Sequence, residues 1–119
     1  MNRRIAIATK DGWLITEHFG RCMEYTVVEL QEVGYKVIGK RLVTPPCIGY
    51  EHKSEGILEV VETLKDCSVI VISQIGLGAL LIVKEYGIHV YEYRGYVNNA
   101  LDNIREQFKK QRRNEVIYE

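Results

Sequence analysis

The sequence has no long apolar run. Its longest apolar stretch, Val69–Val83, is interrupted by Ser73, Gln74, Gly76 and Gly78, whereas a membrane-spanning helix needs about 20 apolar residues. The apolar segment nearest the start, Ile5–Ala8, is too short for the core of a signal peptide. Both absences point to a cytoplasmic protein with no membrane partner. Net charge is missing too, since 16 Lys and Arg balance 16 Asp and Glu. A protein that coats nucleic acid draws its affinity from a basic excess, so no nucleic-acid partner is expected. Cysteine is sparse and odd in number, with 3 residues at wide spacings, Cys22, Cys47 and Cys67. In a reducing compartment these are thiols, metal ligands or buried fillers rather than a disulfide framework. Internal repeats, low-complexity segments and linkers are absent.

What is present is the composition of one globular domain: 119 residues, 46% hydrophobic and 27% charged. A chain of this length buries roughly two-thirds of its unfolded surface and needs no covalent staples. Ile5–Thr9 is a short β-rich run ended by Lys10-Asp11-Gly12, a hairpin signal, which predicts Trp13–Thr16 as the return strand. Tyr25–Leu30 and Tyr35–Val43, separated by Gly34, read as two further strands, so the first part is an antiparallel meander. Pro45-Pro46 stops the last strand and blocks a helix. Ser54 can cap a helix whose stripe is Ile57, Leu58, Val61 and Leu64.

Ser68–Ser73 is continuously apolar, which suits a strand covered on both faces. Gly76-Leu77-Gly78 leads into a helix over about Ala79–Tyr86, ended by Gly87. Ile88–Tyr91 is the last strand, with His89 a structural member of it. Val97, Ala100, Leu101, Ile104 and Phe108 line a third amphipathic helix, and Lys109–Glu119 reads as a polar tail that frays. The fold class is thus α/β, a single domain over residues 1–108 with a mixed five-stranded sheet (a meander, then β-α-β) and three helices. The second half requires parallel pairing.

Three loops hold the reactive side chains. His18 and Cys22 lie in the first, Cys47 and His52 in the second, and Gln74–Gly78 opens a helix whose free N–H groups attract anions. In open α/β sheets, loops beyond the strand C-termini form the binding crevice. Thiolate and imidazole suit zinc or an iron–sulfur cluster. His18, Cys22, Cys47 and His52 together would form a closed zinc site, although the usual close cysteine pair is absent. The alternative is that Cys22 and Cys47 are ordinary thiols; Cys67, between an amphipathic helix and an apolar strand, reads as core.

Arg21 either offsets an anionic ligand or pairs with Glu17 or Glu24, and His18 either binds or caps the loop. Cys47, after two prolines and near His52 and Lys53, reads as the most reactive thiol. The basic stretch Arg105–Arg113 is a solvated helix face or a docking patch. No enzyme motif is present. Leu81 occupies the place of the third glycine of a dinucleotide fingerprint, and neither a phosphate-loop lysine nor H-E-x-x-H nor G-x-S-x-G occurs. No catalytic residue is assigned.

The segment Ile5–Glu29, with Asp11-Gly12, His18-Phe19-Gly20-Arg21-Cys22 and Tyr25, resembles the NifX-like nitrogenase iron–molybdenum cofactor biosynthesis family. Pro45-Pro46-Cys47 with His52, and Gly76-Leu77-Gly78-Ala79, support the resemblance, which extends to about Ile104. Many relatives carry Gly-Gly where this chain has Ser73-Gln74, and the histidine-rich loop of some relatives is here His52 alone. The resemblance implies a ribonuclease-H-like fold without nuclease chemistry. It implies a small non-enzymatic carrier of an iron–sulfur or iron–molybdenum type cluster or precursor, or a metal-free binding or regulatory module that keeps the fold. The cofactor-binding set it implies is His18, Arg21, Cys22, Cys47, His52, Gly76 and Gly78, with Cys47, His18 and His52 as metal ligands and Cys22 as a further candidate thiolate. Its partners are then cluster donor and acceptor proteins, and a monomer or weak homodimer is expected.

Overall fold

The structure, a computed structural model, describes residues 2–48 and 51–118, with side chains described as far as Gln111. The chain runs β1 (Arg4–Ile7), β2 (Leu14–Ile15), β3 (Glu24–Leu30), β4 (Tyr35–Leu42), α1 (Lys53–Leu64), β5 (Val69–Ile72), α2 (Leu77–Glu85), β6 (His89–Glu92), β7 (Gly95–Tyr96) and α3 (Val97–Tyr118). Five strands form one mixed sheet in the order β4-β3-β1-β5-β6. β1 pairs antiparallel with β3 and parallel with β5, and β5 pairs parallel with β6. The parallel second half and the buried Val69–Ile72 run match the sequence pattern.

The meander is altered at one strand. The Asp11-Gly12 turn forms, with Gly12 at φ +82° and the Asp11 carboxylate accepting the N–H groups of Trp13 and Leu14 at 2.8 and 3.0 Å. After the single bridge between Thr9 and Ile15, however, β2 leaves β1 and pairs antiparallel with β7 in a separate two-stranded ribbon. The reason is topological. β1 is the middle strand, and both of its edges are already taken, by β3 and by β5.

Helix starts also shift. α1 begins at Lys53 with His52 as an extended N-cap, so Ser54 lies inside the first turn and caps nothing. α2 begins at Leu77, because Gly76 takes the extended N-cap position. Gly87, at φ +78°, follows its C-cap as expected. α3 continues past Phe108 to Tyr118 instead of stopping where the apolar stripe ends. Its later half contains no glycine or proline and is rich in Arg, Lys, Gln and Glu, all good helix formers. Arg105 is not merely solvated: its guanidinium donates to the Gln31 and Gly34 carbonyls and so ties α3 to the β3–β4 turn.

Two apolar layers sandwich the sheet. On one face Ala6, Tyr25, Val27, Ile70 and Ile72 pack beneath α1 and α2, which contribute Ile57, Val61, Leu64 and Val83. On the other, Ile5, Ile7, Val28, Leu30 and Val71 pack beneath α3 and the ribbon, which contribute Leu101, Ile104 and Ile15. Strand alternation puts odd and even positions of β1 into different cores. The edge strand β4 is pinned by charge: Arg41 donates to Asp66 and to the Thr63 carbonyl at the end of α1, and Arg4 reaches the same carboxylate at 2.9 Å. These guanidinium contacts hold the Asp66 carboxyl well below the usual carboxylate range.

Candidate functional site

The three reactive loops meet at the C-terminal ends of β1, β5 and β6, where a ligand crevice is expected in a sheet that reverses direction about β1. The first loop, residues 17–23, is stitched to the third by its backbone. The N–H of Phe19 donates to the Gln74 carbonyl at 2.9 Å, the N–H of Ser73 donates to the Glu17 carbonyl at 3.1 Å, and the Ser73 hydroxyl donates to the same carbonyl at 2.9 Å. The loop closes on itself as a helical turn, with the N–H of Cys22 donating to the His18 carbonyl. Buried Phe19 anchors it in the core under α1 and α2.

The second loop docks on the first. The N–H of Cys47 donates to the Gly20 carbonyl at 3.0 Å. The Cys47 thiol lies directly over Gly20, where a Cβ would meet Sγ at 2.5 Å. At that distance a side chain at position 20 would force the sulfur to shift. Cys47 itself is exposed.

The candidate residues therefore divide. His18, Arg21, Cys47, Gly76 and Gly78 are exposed or half-open around this junction. Arg21 makes no ion pair among the described residues; Glu17 pairs with Lys10 and Glu24 with Lys40 instead. His52 stands at the N-cap of α1, beyond positions 49 and 50, which lie outside the described residues. Cys22 is not in the crevice. It is 0% exposed, packed with Phe19 and Tyr25, and its thiol donates to the Glu24 carbonyl at 3.2 Å. Burial pushes that thiol up to about 11. The closed four-ligand site is accordingly not assembled, and among the described residues no three His, Cys, Asp or Glu side chains are gathered to hold a metal ion. Cys67 is buried as expected, and burial raises its thiol to about 11 as well. The Tyr25 hydroxyl beside Cys22 is buried without a hydrogen-bond partner among the described residues.

The mouth of α2 is the electropositive part. The N–H groups of Leu77, Gly78 and Ala79 have no partner within the helix, whose ladder opens with the N–H of Leu80 on the Gly76 carbonyl. Neither Gly76 nor Gly78 is required by packing, since a Cβ at either would meet nothing within 4 Å. Gly76 has an ordinary φ of −72°. The two glycines leave bare backbone at the helix mouth. Sequence reasoning missed Arg94. It follows β6, and its guanidinium donates to the Gln74 side chain at 3.0 Å, adding a second cation to the crevice. No motif marks it; only the parallel β5–β6 pairing brings it there.

The fold and this junction together define a small α/β domain whose reactive loops are joined at one end of its sheet. The chain belongs to the dinitrogenase iron-molybdenum cofactor family, whose match covers residues 1–107. It is 31% identical over 93 residues to the FeMo cofactor biosynthesis protein NifB of Sinorhizobium fredii, a match that covers 78% of this chain and 19% of that protein. It is 35% identical over 75 residues to NifB of Azotobacter vinelandii, covering 60% of this chain and 15% of the relative. The matches thus span less than a fifth of these longer proteins. A protein of Methanocaldococcus jannaschii, provisionally titled a dinitrogenase, shares the fold with a TM-score of 0.57 at 16% identity, over 90% of this chain and 91% of that one.

Proposed function

We propose that the protein is a small, non-enzymatic carrier for an iron–sulfur or iron–molybdenum type cluster, or a precursor of one, taken as cargo from a donor protein and released to an acceptor in the cytoplasm. The observation that carries this reading is the exposed Cys47 thiol seated on Gly20 of the His18–Cys22 turn, which is itself bonded to the segment before α2. One thiolate, with His18 and His52 as imidazole donors, is a sparse ligand set. Sparse ligation suits a load that must leave again. Arg21, Arg94 and the open N-terminus of α2 offset the negative charge of such a cluster. Its oligomeric state on this reading is a monomer or weak homodimer.

A second reading, a metal-free binding or regulatory module, is favoured by the burial of Cys22 and Cys67, which leaves one exposed thiol. Anaerobic incubation with iron and sulfide, followed by gel filtration, separates the two. Iron and visible absorbance travelling with the protein supports the carrier; a protein fraction free of both gives the site to the metal-free module.

A further inference from the structure

On the α3 side of the sheet, away from the thiol junction, lies a groove of about 220 Å³ lined by Gly12, Trp13, Tyr35, Tyr96, Asn98 and Asn99. Two of its rings are exposed, Trp13 by 68% and Tyr96 by 57%. Leaving large aromatic surface in water is unfavourable unless something covers it. The backbone that carries these rings is fixed. Asp11 fixes the backbone of Trp13 and Leu14, the Trp13 carbonyl accepts the N–H of Val97 at 2.8 Å, and Leu14 pairs with Tyr96 across the ribbon. They do not stack on one another; the stacked ring pair among the described residues is Tyr91 with Tyr93.

The rim is polar but uncharged. Asn98 and Asn99 project from the first turn of α3, exposed and with no side-chain hydrogen bond among the described residues. No lysine, arginine, aspartate or glutamate lines the groove. We infer that this groove is a binding site for a neutral, planar heteroaromatic ring, a purine base of the adenine type. Trp13 and Tyr96 are exposed rings on which such a ring stacks, as bases stack on exposed aromatic side chains, and the half-buried Tyr35 forms part of the wall. The asparagine amides offer the paired donor and acceptor that match the N6 and N7 edge of adenine. The volume, about seven waters' worth, suits one base and falls below the roughly 300 Å³ at which pockets for drug-sized ligands begin. The lack of a lining cation favours a nucleoside over a nucleotide.

Trp13 is the single tryptophan of the chain, so its emission reports the groove directly. Titrating the full chain with adenosine should quench that emission saturably, and Asn98→Ala or Asn99→Ala should each weaken binding by up to about tenfold, the worth of one good hydrogen bond. Trp13→Ala, followed by calorimetry with circular dichroism as the check on folding, should abolish the heat of adenosine binding. The inference is overturned if adenosine gives no saturable change, or if glucose or maltose quenches as well at equal concentration. It is equally overturned if emission depends on protein concentration without nucleoside, which would make the rings a contact between copies. All of this is read on cluster-free protein and is independent of the carrier reading.

Discussion

At the scale of single residues, three thiols of one chain differ by position. Cys22 and Cys67 are buried, and their deprotonation is pushed to about 11, so at mildly alkaline pH they stay protonated and shielded. Cys47 is exposed. Brief alkylation of the folded protein and peptide mapping should find label on Cys47 first; label on Cys67 first would contradict the burial described. The sequence already placed Cys67 in the core and Cys47 in an irregular loop. It did not reveal that Cys22 turns inward, because the four-residue turn from His18 that rotates it depends on Phe19 entering the core. Gly20 carries a sharper test. Its missing Cβ makes room for the Cys47 sulfur, whereas the Cys47 Cβ lies at an ordinary 3.7 Å. Gly20→Ala should therefore destabilise the protein by about 1–3 kcal/mol through overpacking, and should cost much less in a Cys47→Ala background. Equal costs in both backgrounds, by urea denaturation, would show that sulfur and glycine are uncoupled.

At the scale of elements, α2 and β4 make opposite demands. Gly78 lies in the first turn of α2 with open space at its Cβ position. Gly78→Ala should raise stability by roughly 0.5–1 kcal/mol, the ordinary gain of alanine in a helix. The same substitution should lower cluster retention if the bare helix mouth serves the cargo. A stabilised variant with unchanged retention would remove Gly78 from the site. β4 is held by Asp66, whose carboxyl is depressed mainly by the Arg41 hydrogen bonds, with Arg4 adding to them. A group lowered in the folded state stabilises above its unfolded pKa, about 3.9 for Asp, and loses that contribution as pH falls through the folded value. Melting temperature should thus fall more steeply below about pH 4 in the parent than in Asp66→Asn, while at neutral pH the variant is the less stable by about 1–2 kcal/mol. Parallel acid limbs would deny Asp66 that role. The strands themselves were legible because alternation and the Val69–Ile72 run report burial. The departure of β2 was not, because a turn signal shows that the chain reverses but not which edge is free to receive it.

At the scale of the whole molecule, the sheet separates two cores and gathers the reactive loops at one end. Loops that are 25 or more residues apart in sequence are joined there by a handful of main-chain hydrogen bonds. The meeting of these loops was inferable from the general rule for open sheets. The inclusion of Arg94 and the exclusion of Cys22 both required the packed structure. The aromatic groove beside β7 was likewise unreadable, since Trp13 and Tyr96 become neighbours only through the ribbon pairing. On the proposed reading, one exposed thiol at the loop junction holds a labile cluster. Visible absorbance after anaerobic reconstitution, measured side by side in the parent, Cys47→Ala and Cys67→Ala proteins, tests it most directly. A cluster band is expected in the parent and in Cys67→Ala, and its loss in Cys47→Ala. Full absorbance in Cys47→Ala, or no band in the parent, would contradict it.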